Sequence, residues 1–205
     1  MRVIAGVARG RRLQPVPGEG TRPITDRVKE SLFDILSGGV EDARFLDLFA
    51  GTGSVGIEAL SRGAERAVFV DSARKAIDTV RRNLRTTGLA ERAEVVHGDA
   101  FRFLEREAGG EPFHYVYVAP PQYRDIWARA LLALDGADLV AADGMVIVQI
   151  HPKEYHAVPL RRLRLTKERR YGSTLLLFYE PVADAAARDS DTAAQATPAD
   201  GEEAE

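Results

Sequence analysis

The chain has 205 residues, 45% of them hydrophobic and 29% charged, with no cysteine and a formal charge of −3. This is the profile of one folded domain with room for a substantial core. It excludes disulfides and thiolate metal sites, and no apolar run approaches the roughly 20 residues of a membrane span. The net charge hides an asymmetry: residues 183–205 carry seven acids and one base, a net of −6, which leaves +3 for the rest. That tail has no periodicity and is expected to be disordered. The N-terminus turns basic too soon for a signal-peptide core, so a cytoplasmic location is expected.

Residues 1–20 hold Arg2, Arg9, Arg11 and Arg12. Val3-Ile4-Ala5 and Arg12-Leu13-Gln14 suit a small hairpin, broken off by Pro15, Pro17, Gly18 and Gly20. Two readings stay open: a basic arm along a phosphate backbone, or a solvated surface hairpin. A helix then runs to Leu36, with Thr25 or Asp26 as cap and Lys29 or Glu30 three to four residues on. Val28, Leu32, Ile35 and Leu36 form its apolar stripe, and Gly38-Gly39 stops it. A helix that merely covers a sheet leaves the polar cluster Arg22, Thr25, Asp26 and Arg27 unexplained.

Phe45 to Phe49 reads as a short buried parallel strand. Gly51 and Gly53 follow, in G-T-G-S-V-G, and permit a tight turn that backbone can share with a ligand. Ile57 to Leu60 continues as helix. A second strand, Ala67 to Val70, ends in Asp71, 18 residues after Gly53. An acid at about that spacing holds ribose hydroxyls in nucleotide-binding α/β units. The bland alternative is a glycine-rich turn and two surface acids, Asp47 and Asp71.

Alternation continues. Arg74 to Leu84 is helical, with Ile77, Val80 and Leu84 on one face. Ala93 to His97 is a third strand, followed by Gly98-Asp99-Ala100-Phe101, where Asp99 can cap the helix Phe101–Arg106. His97 reads as a packed strand-end residue. His114 to Val118 is the fourth strand, and Ala119-Pro120-Pro121-Gln122-Tyr123 follows at its carboxyl end. Active sites of such sheets lie there. Trp127, Leu131 and Leu134 form a helical core stripe, while Arg124 and Arg129 can face a phosphate backbone. Asp143-Gly144 turns into a fifth strand, Met145 to Ile150, ended by His151-Pro152. Arg161 to Arg170 reads as a basic outer strand that protects an edge, with contact to a nucleic-acid backbone as the alternative. Tyr171-Gly172 turns it into a returning apolar strand, Ser173 to Tyr179.

The run D-L-F-A-G-T-G resembles motif I of the class I S-adenosylmethionine (SAM) methyltransferases. With the opening M-R-V-I-A-G-V-A-R-G-R-R-L, the segment R-P-I-T-D-R-V-K-E-S-L-F and G-I-E-A-L-S-R-G-A, the chain resembles the RsmD family over Met1 to about Glu180. Those enzymes methylate a guanine N2 amine of 16S rRNA. The resemblance implies a Rossmann-like α/β fold: a seven-stranded, mostly parallel sheet with an antiparallel last strand, and a small N-terminal basic hairpin and helix. It implies residues 1–40 packed on a methyltransferase domain, 41–182. SAM would meet Asp47, Phe49, Ala50, Gly51, Thr52, Gly53, Asp71, Ser72, Asp99, Ala100 and Phe101. RNA would meet Arg9, Arg11, Arg12, Arg22, Thr25 and Arg27. A monomer acting on 16S rRNA or a small-subunit assembly intermediate is expected, with no metal and no membrane.

The family's D/N-P-P-Y/F motif uses its first side chain and first proline carbonyl to accept hydrogens from the amine, while its ring stacks on the base. Here the segment departs. Ala119 has no acceptor, Gln122 stands at the aromatic position, and Tyr123 comes one residue late. Three readings remain. The Pro120 carbonyl and Gln122 oxygen accept while Tyr123 stacks, with Pro121 shaping the loop. Or another amine is the target. Or catalysis is lost and a SAM-binding RNA-binding or assembly protein remains. A DNA adenine-N6 enzyme would carry the intact tetrad and a separate recognition region, and a nicotinamide oxidoreductase would more often lack Asp47.

Overall fold

The computed structural model describes residues 1–18 and 24–182; Arg22 and the acidic tail lie outside the described residues. After helix α1 (Asp26–Leu36), strands β1 (Arg44–Asp47), β2 (Arg66–Asp71), β3 (Ala93–His97), β4 (Phe113–Val118) and β5 (Val140–Ile150) alternate with helices α2 (Ser54–Ser61), α3 (Arg74–Thr87), α4 (Ala100–Glu107) and α5 (Ile126–Ala137). β6 (Leu163–Tyr171) and β7 (Thr174–Pro181) complete the described residues. All seven strands form one sheet in the order β3-β2-β1-β4-β5-β7-β6. The first five are mutually parallel, and β7 runs antiparallel to both its neighbours.

The strand order reverses between β1 and β4, because the chain steps outward through β2 and β3 and then returns to β1's other side. In open α/β sheets the crevice at such a reversal, outside the carboxyl ends of the strands, is where ligands bind. Side chains alternate between the two faces. Phe45, Ala67, Phe69, Tyr117 and Ile147 bury one face beneath α1, α2, α3 and the N-terminal segment. Leu46, Leu48, Val68, Val70, Val116 and Val118 bury the other beneath α4 and α5.

Three expectations need correction. The N-terminal hairpin is present but pairs Met1 to Val3 with Arg11 to Leu13, around the antiparallel bridge of Arg2 with Arg12, rather than Val3 to Ala5 with Arg12 to Gln14. Beyond Val3 the chain leaves the ladder, and the amides of Ile4 and Ala5 donate to the Glu58 carboxylate at 2.8 and 3.0 Å. Lys29 takes no part in capping: Thr25 alone accepts from the Val28 amide, and Lys29 is fully buried. β5 begins at Val140 rather than Met145 and passes through Asp143 and Gly144. Gly144 belongs there because a Cβ would come within 2.9 Å of the Ala141 and His114 carbonyl oxygens. At the opposite edge β6 is exposed from Arg164 to Arg170, the charged outer strand that its composition predicts.

Candidate functional site

The turn after β1 is fixed from below and open above. Asp47, 1% exposed at the end of β1, accepts the Gly56 amide at 3.2 Å, and burial raises its pKa to about 8. Burial, and secondarily Asp47, also pushes the neighbouring Tyr117 hydroxyl well up; it donates to Gln149 Oε1 at 2.6 Å. Gly51 and Gly53 have φ of +53° and +74°, the left-handed region that favours glycine. A Cβ on Gly53 would sit 3.2 Å from a Val80 methyl, whereas one on Gly51 would meet nothing nearer than the Phe49 carbonyl oxygen at 4.0 Å. The Ala50 amide donates to Val70 O, tying the turn to β2. Phe49 is half-buried, and Thr52 is buried.

Asp71, at the end of β2, accepts from the Gly51 amide at 2.9 Å through one oxygen and from the Ala73 amide at 2.8 Å through the other. Each carboxylate oxygen has a second lone pair, so a half-exposed Asp71 can still accept from hydroxyls. Ser72 is exposed, and its carbonyl meets His97 Nε2 at 3.1 Å; His97 is itself exposed, so the packed role expected of it is corrected to a surface contact at the strand end. Asp99 caps α4: one oxygen takes the amides of Phe101 and Arg102, at 3.0 and 3.1 Å. Ala100 is buried beside it. The Arg129 guanidinium lies 4.5 Å from the centre of the Phe101 ring. Arg129 remains exposed, and it gives one face of Phe101 a cationic cover.

After β4 the chain opens out. Ala119 is partly buried and packs against the α1–α3 face of the core, Pro120 is buried, and Pro121, Gln122 and Tyr123 are exposed. Tyr123, 67% exposed, has φ +62°, and its ring lies 5.8 Å from that of His151. Its amide donates to Glu154 Oε1, while Glu154 Oε2 accepts the His151 amide at 3.1 Å. His151 Nδ1 accepts from Lys153, so His151 is a satisfied strand-end residue, as expected. The end of β5 therefore holds the proline loop in place. Parallel pairing of β3, β2, β1 and β4 brings Asp99, Asp71, the glycine turn and this loop to one edge of the sheet.

The basic residues gather only in part. Arg9 and Arg27 line one open concavity of about 300 Å³ with Arg2, Asp26 and Glu30. Arg12 lines an adjoining one, which shares Arg2 and Asp26. Arg11 is exposed and enters the arm's structure through its carbonyl, which accepts from Val3. Thr25 is committed to capping α1.

Sequence reasoning missed the residues that hold the arm. Lys29 Nζ lies 3.3 Å from Glu58 and donates to the Arg2 carbonyl at 2.7 Å, with both side chains fully buried. Arg62 also meets Glu58, at 2.9 Å. Ser61 Oγ donates to Ala5 O and accepts the Ala8 amide, and a Cβ on Gly6 would fall 1.7 Å from Ser61 O. A close approach of backbone to backbone thus requires Gly6. A signal existed: Lys29, Glu58 and Ser61 are charged or polar residues inside otherwise regular helical stretches, where a buried polar group demands partners. Glu154 was legible as the last member of His151-Pro152-Lys153-Glu154, a capping-box spacing.

Residues 1–180 match the family model described as "Conserved hypothetical protein 95". Over 183 residues the chain is 42% identical to "Putative rRNA methyltransferase YlbH" of Bacillus subtilis, covering 88% of this chain and 98% of that one. It is 32% identical over 181 residues to "Ribosomal RNA small subunit methyltransferase D" of Haemophilus influenzae, covering 88% and 93%. The solved structure of "Putative methyltransferase yhhF" from Escherichia coli superposes with a TM-score of 0.78 at 34% identity, covering 89% of this chain and 98% of that one. The chain belongs to the conserved hypothetical protein 95 family, the RsmD family that its motifs resemble.

Proposed function

We propose that this protein transfers a methyl group from SAM to the exocyclic N2 amine of a guanine in 16S rRNA. The observation that carries the reading is the strand order β3-β2-β1-β4, which sets two acids, a glycine turn and a proline loop at the carboxyl ends of adjacent strands, where such sheets bind ligands. The residues fit the donor. The space above Gly51 is free of protein atoms that a Cβ would strike, and Asp71 retains acceptor capacity for ribose hydroxyls. Asp99, beyond its cap bonds, is the acceptor for an adenine amino group, with Phe101 beside it. Bound SAM supplies an electrophilic methyl group on sulfur.

The chain's own work is placement. The Pro120 carbonyl and the Gln122 side-chain oxygen accept the two hydrogens of the amine, which aims the nitrogen lone pair at the donor. Tyr123 stacks on the extruded base. Holding both reactants in line converts an encounter into a unimolecular step, which can remove a large part of the barrier. Arg9, Arg12 and Arg27, grouped around the arm, meet the phosphate backbone; Arg11 is exposed beside them, and Arg22 is the neighbouring base by sequence.

One observation favours a second reading. Ala119 turns its methyl group into the core and offers no acceptor at the end of β4, so the alternative is a SAM-binding RNA-binding or assembly protein with weak or altered catalysis. Transfer of labelled methyl from SAM to undermethylated small-subunit rRNA, with mass mapping of the modified base, separates the two. The enzyme reading requires one methylated guanine at N2; binding of SAM and RNA without transfer supports the alternative.

A further inference from the structure

We infer that Asn83 is a positioning residue that locks the cofactor turn to the N-terminal arm and thereby couples binding of the methyl donor to binding of RNA. The inference rests on the proposed reading of the turn as the donor site and the arm as an RNA contact. Asn83 lies on α3 and is fully buried. Its Nδ2 donates to the Thr52 carbonyl at 2.9 Å, inside the glycine turn. The same nitrogen donates to the Gln14 carbonyl at 3.1 Å, and Oδ1 accepts the Gln14 amide at 2.8 Å. One planar amide therefore serves both segments. It cannot rotate to suit the turn without releasing the arm.

The surroundings make this joint stiff. Val80, one helical turn before Asn83, supports the turn beneath Gly53. Met1, the other end of the arm, meets Thr52 through its sulfur at 3.6 Å from Oγ1. Glu58 on α2, the helix that the turn opens, holds the amides of Ile4 and Ala5. A helix that only covered a sheet would place an apolar residue at position 83, since a buried amide is costly unless it is fully hydrogen-bonded. Here three hydrogen bonds satisfy it, two to the arm and one to the turn. Ordering either segment by a ligand thus orders the other, and linkage makes the effect equal in both directions.

The test uses S-adenosylhomocysteine, the non-reactive product, as the probe for the turn and unmodified small-subunit rRNA as the probe for the arm. Calorimetry on the full chain gives each affinity with and without the other ligand. In the wild-type protein each ligand tightens the other by the same factor. Asn83→Ala weakens S-adenosylhomocysteine alone by about tenfold and brings the coupling factor to one. Gln14→Pro removes the amide that Asn83 Oδ1 accepts and keeps the carbonyl that Nδ2 meets. It leaves S-adenosylhomocysteine binding alone within about twofold of wild type but lowers the coupling factor, an outcome that general destabilisation does not produce, and it carries the test if Asn83→Ala fails to fold. Wild-type coupling in Gln14→Pro, wild-type affinity in a folded Asn83→Ala, or independent binding of the two ligands to the wild-type protein overturns the inference. Failure of the wild-type protein to bind S-adenosylhomocysteine at all would instead sink the reading on which it rests.

Discussion

The glycine turn after β1 and the proline loop after β4 lie side by side at one edge of the sheet, yet they are held in opposite ways. The turn is braced from within: Asp47 below, Asp71 beside it, Val80 and Asn83 on α3 packed against it. The loop emerges from one buried residue, Pro120, and then exposes Pro121, Gln122 and Tyr123, steadied by the Glu154 carboxylate. A site that receives one invariant small molecule can be rigid. On the proposed reading the loop receives an extruded base from a large RNA, which needs its stacking ring outside the core. The difference teaches that substitutions at the turn should change both stability and donor affinity, whereas those in the loop should change turnover alone.

The sharpest break of that contrast is Tyr123→Ala. Base-to-aromatic stacking is worth roughly 1–3 kcal/mol, so we expect turnover on rRNA to fall by up to about a hundredfold, with the melting temperature unmoved because the ring is 67% exposed. Turnover like wild type would remove the stacking role. On the turn side, Asp47→Asn tests the buried carboxyl. Its pKa rises on folding from 3.8 to about 8. The stability it contributes is therefore fully present below pH 3.8 and is lost as pH rises through about 8. The asparagine variant should gain on wild type across that window, by on the order of 2–5 kcal/mol, measured by urea unfolding at a series of pH values. A pH-independent difference would mean that Asp47 does not titrate there.

Gly51→Ala should give a smaller, mixed effect. A φ of +53° costs a non-glycine residue roughly 1–2 kcal/mol, and the added methyl group projects into the space assigned to the donor. Stability should drop by about that amount and SAM affinity by about tenfold. Lowered stability with unchanged affinity would place the donor elsewhere. Gln122→Ala should be the mildest: losing one of two neutral acceptors costs about 1 kcal/mol, or roughly fivefold in turnover, and no loss would exclude Gln122 as an acceptor.

Much of this was readable from one dimension. Motif I, Asp71 eighteen residues beyond Gly53, and the alternation of short apolar strands with helical stripes gave the sheet, and the three N-terminal motifs carried the family resemblance. These signals are local: a glycine needed for a left-handed turn, or apolar residues at a period of two or 3.6, leave their mark within a few residues. Asp99 was ambiguous in the sequence, since capping and ligand binding ask for the same side chain, and the structure shows the cap already made through one oxygen.

What the sequence by itself determined was the run of elements and the chemistry present at each strand end. Tertiary structure alone decided which distant groups meet: Lys29 with Glu58, Ser61 with Ala5, Asn83 with both Thr52 and Gln14, and Glu154 with Tyr123. Each of these joins a side chain to a partner 31 or more residues away, except Lys29 and Glu58 at 29. In most of them the partner is a backbone amide or carbonyl, which every residue carries and which leaves no trace in composition. Such a bond is specified only when packing of the whole sheet brings the backbone within reach.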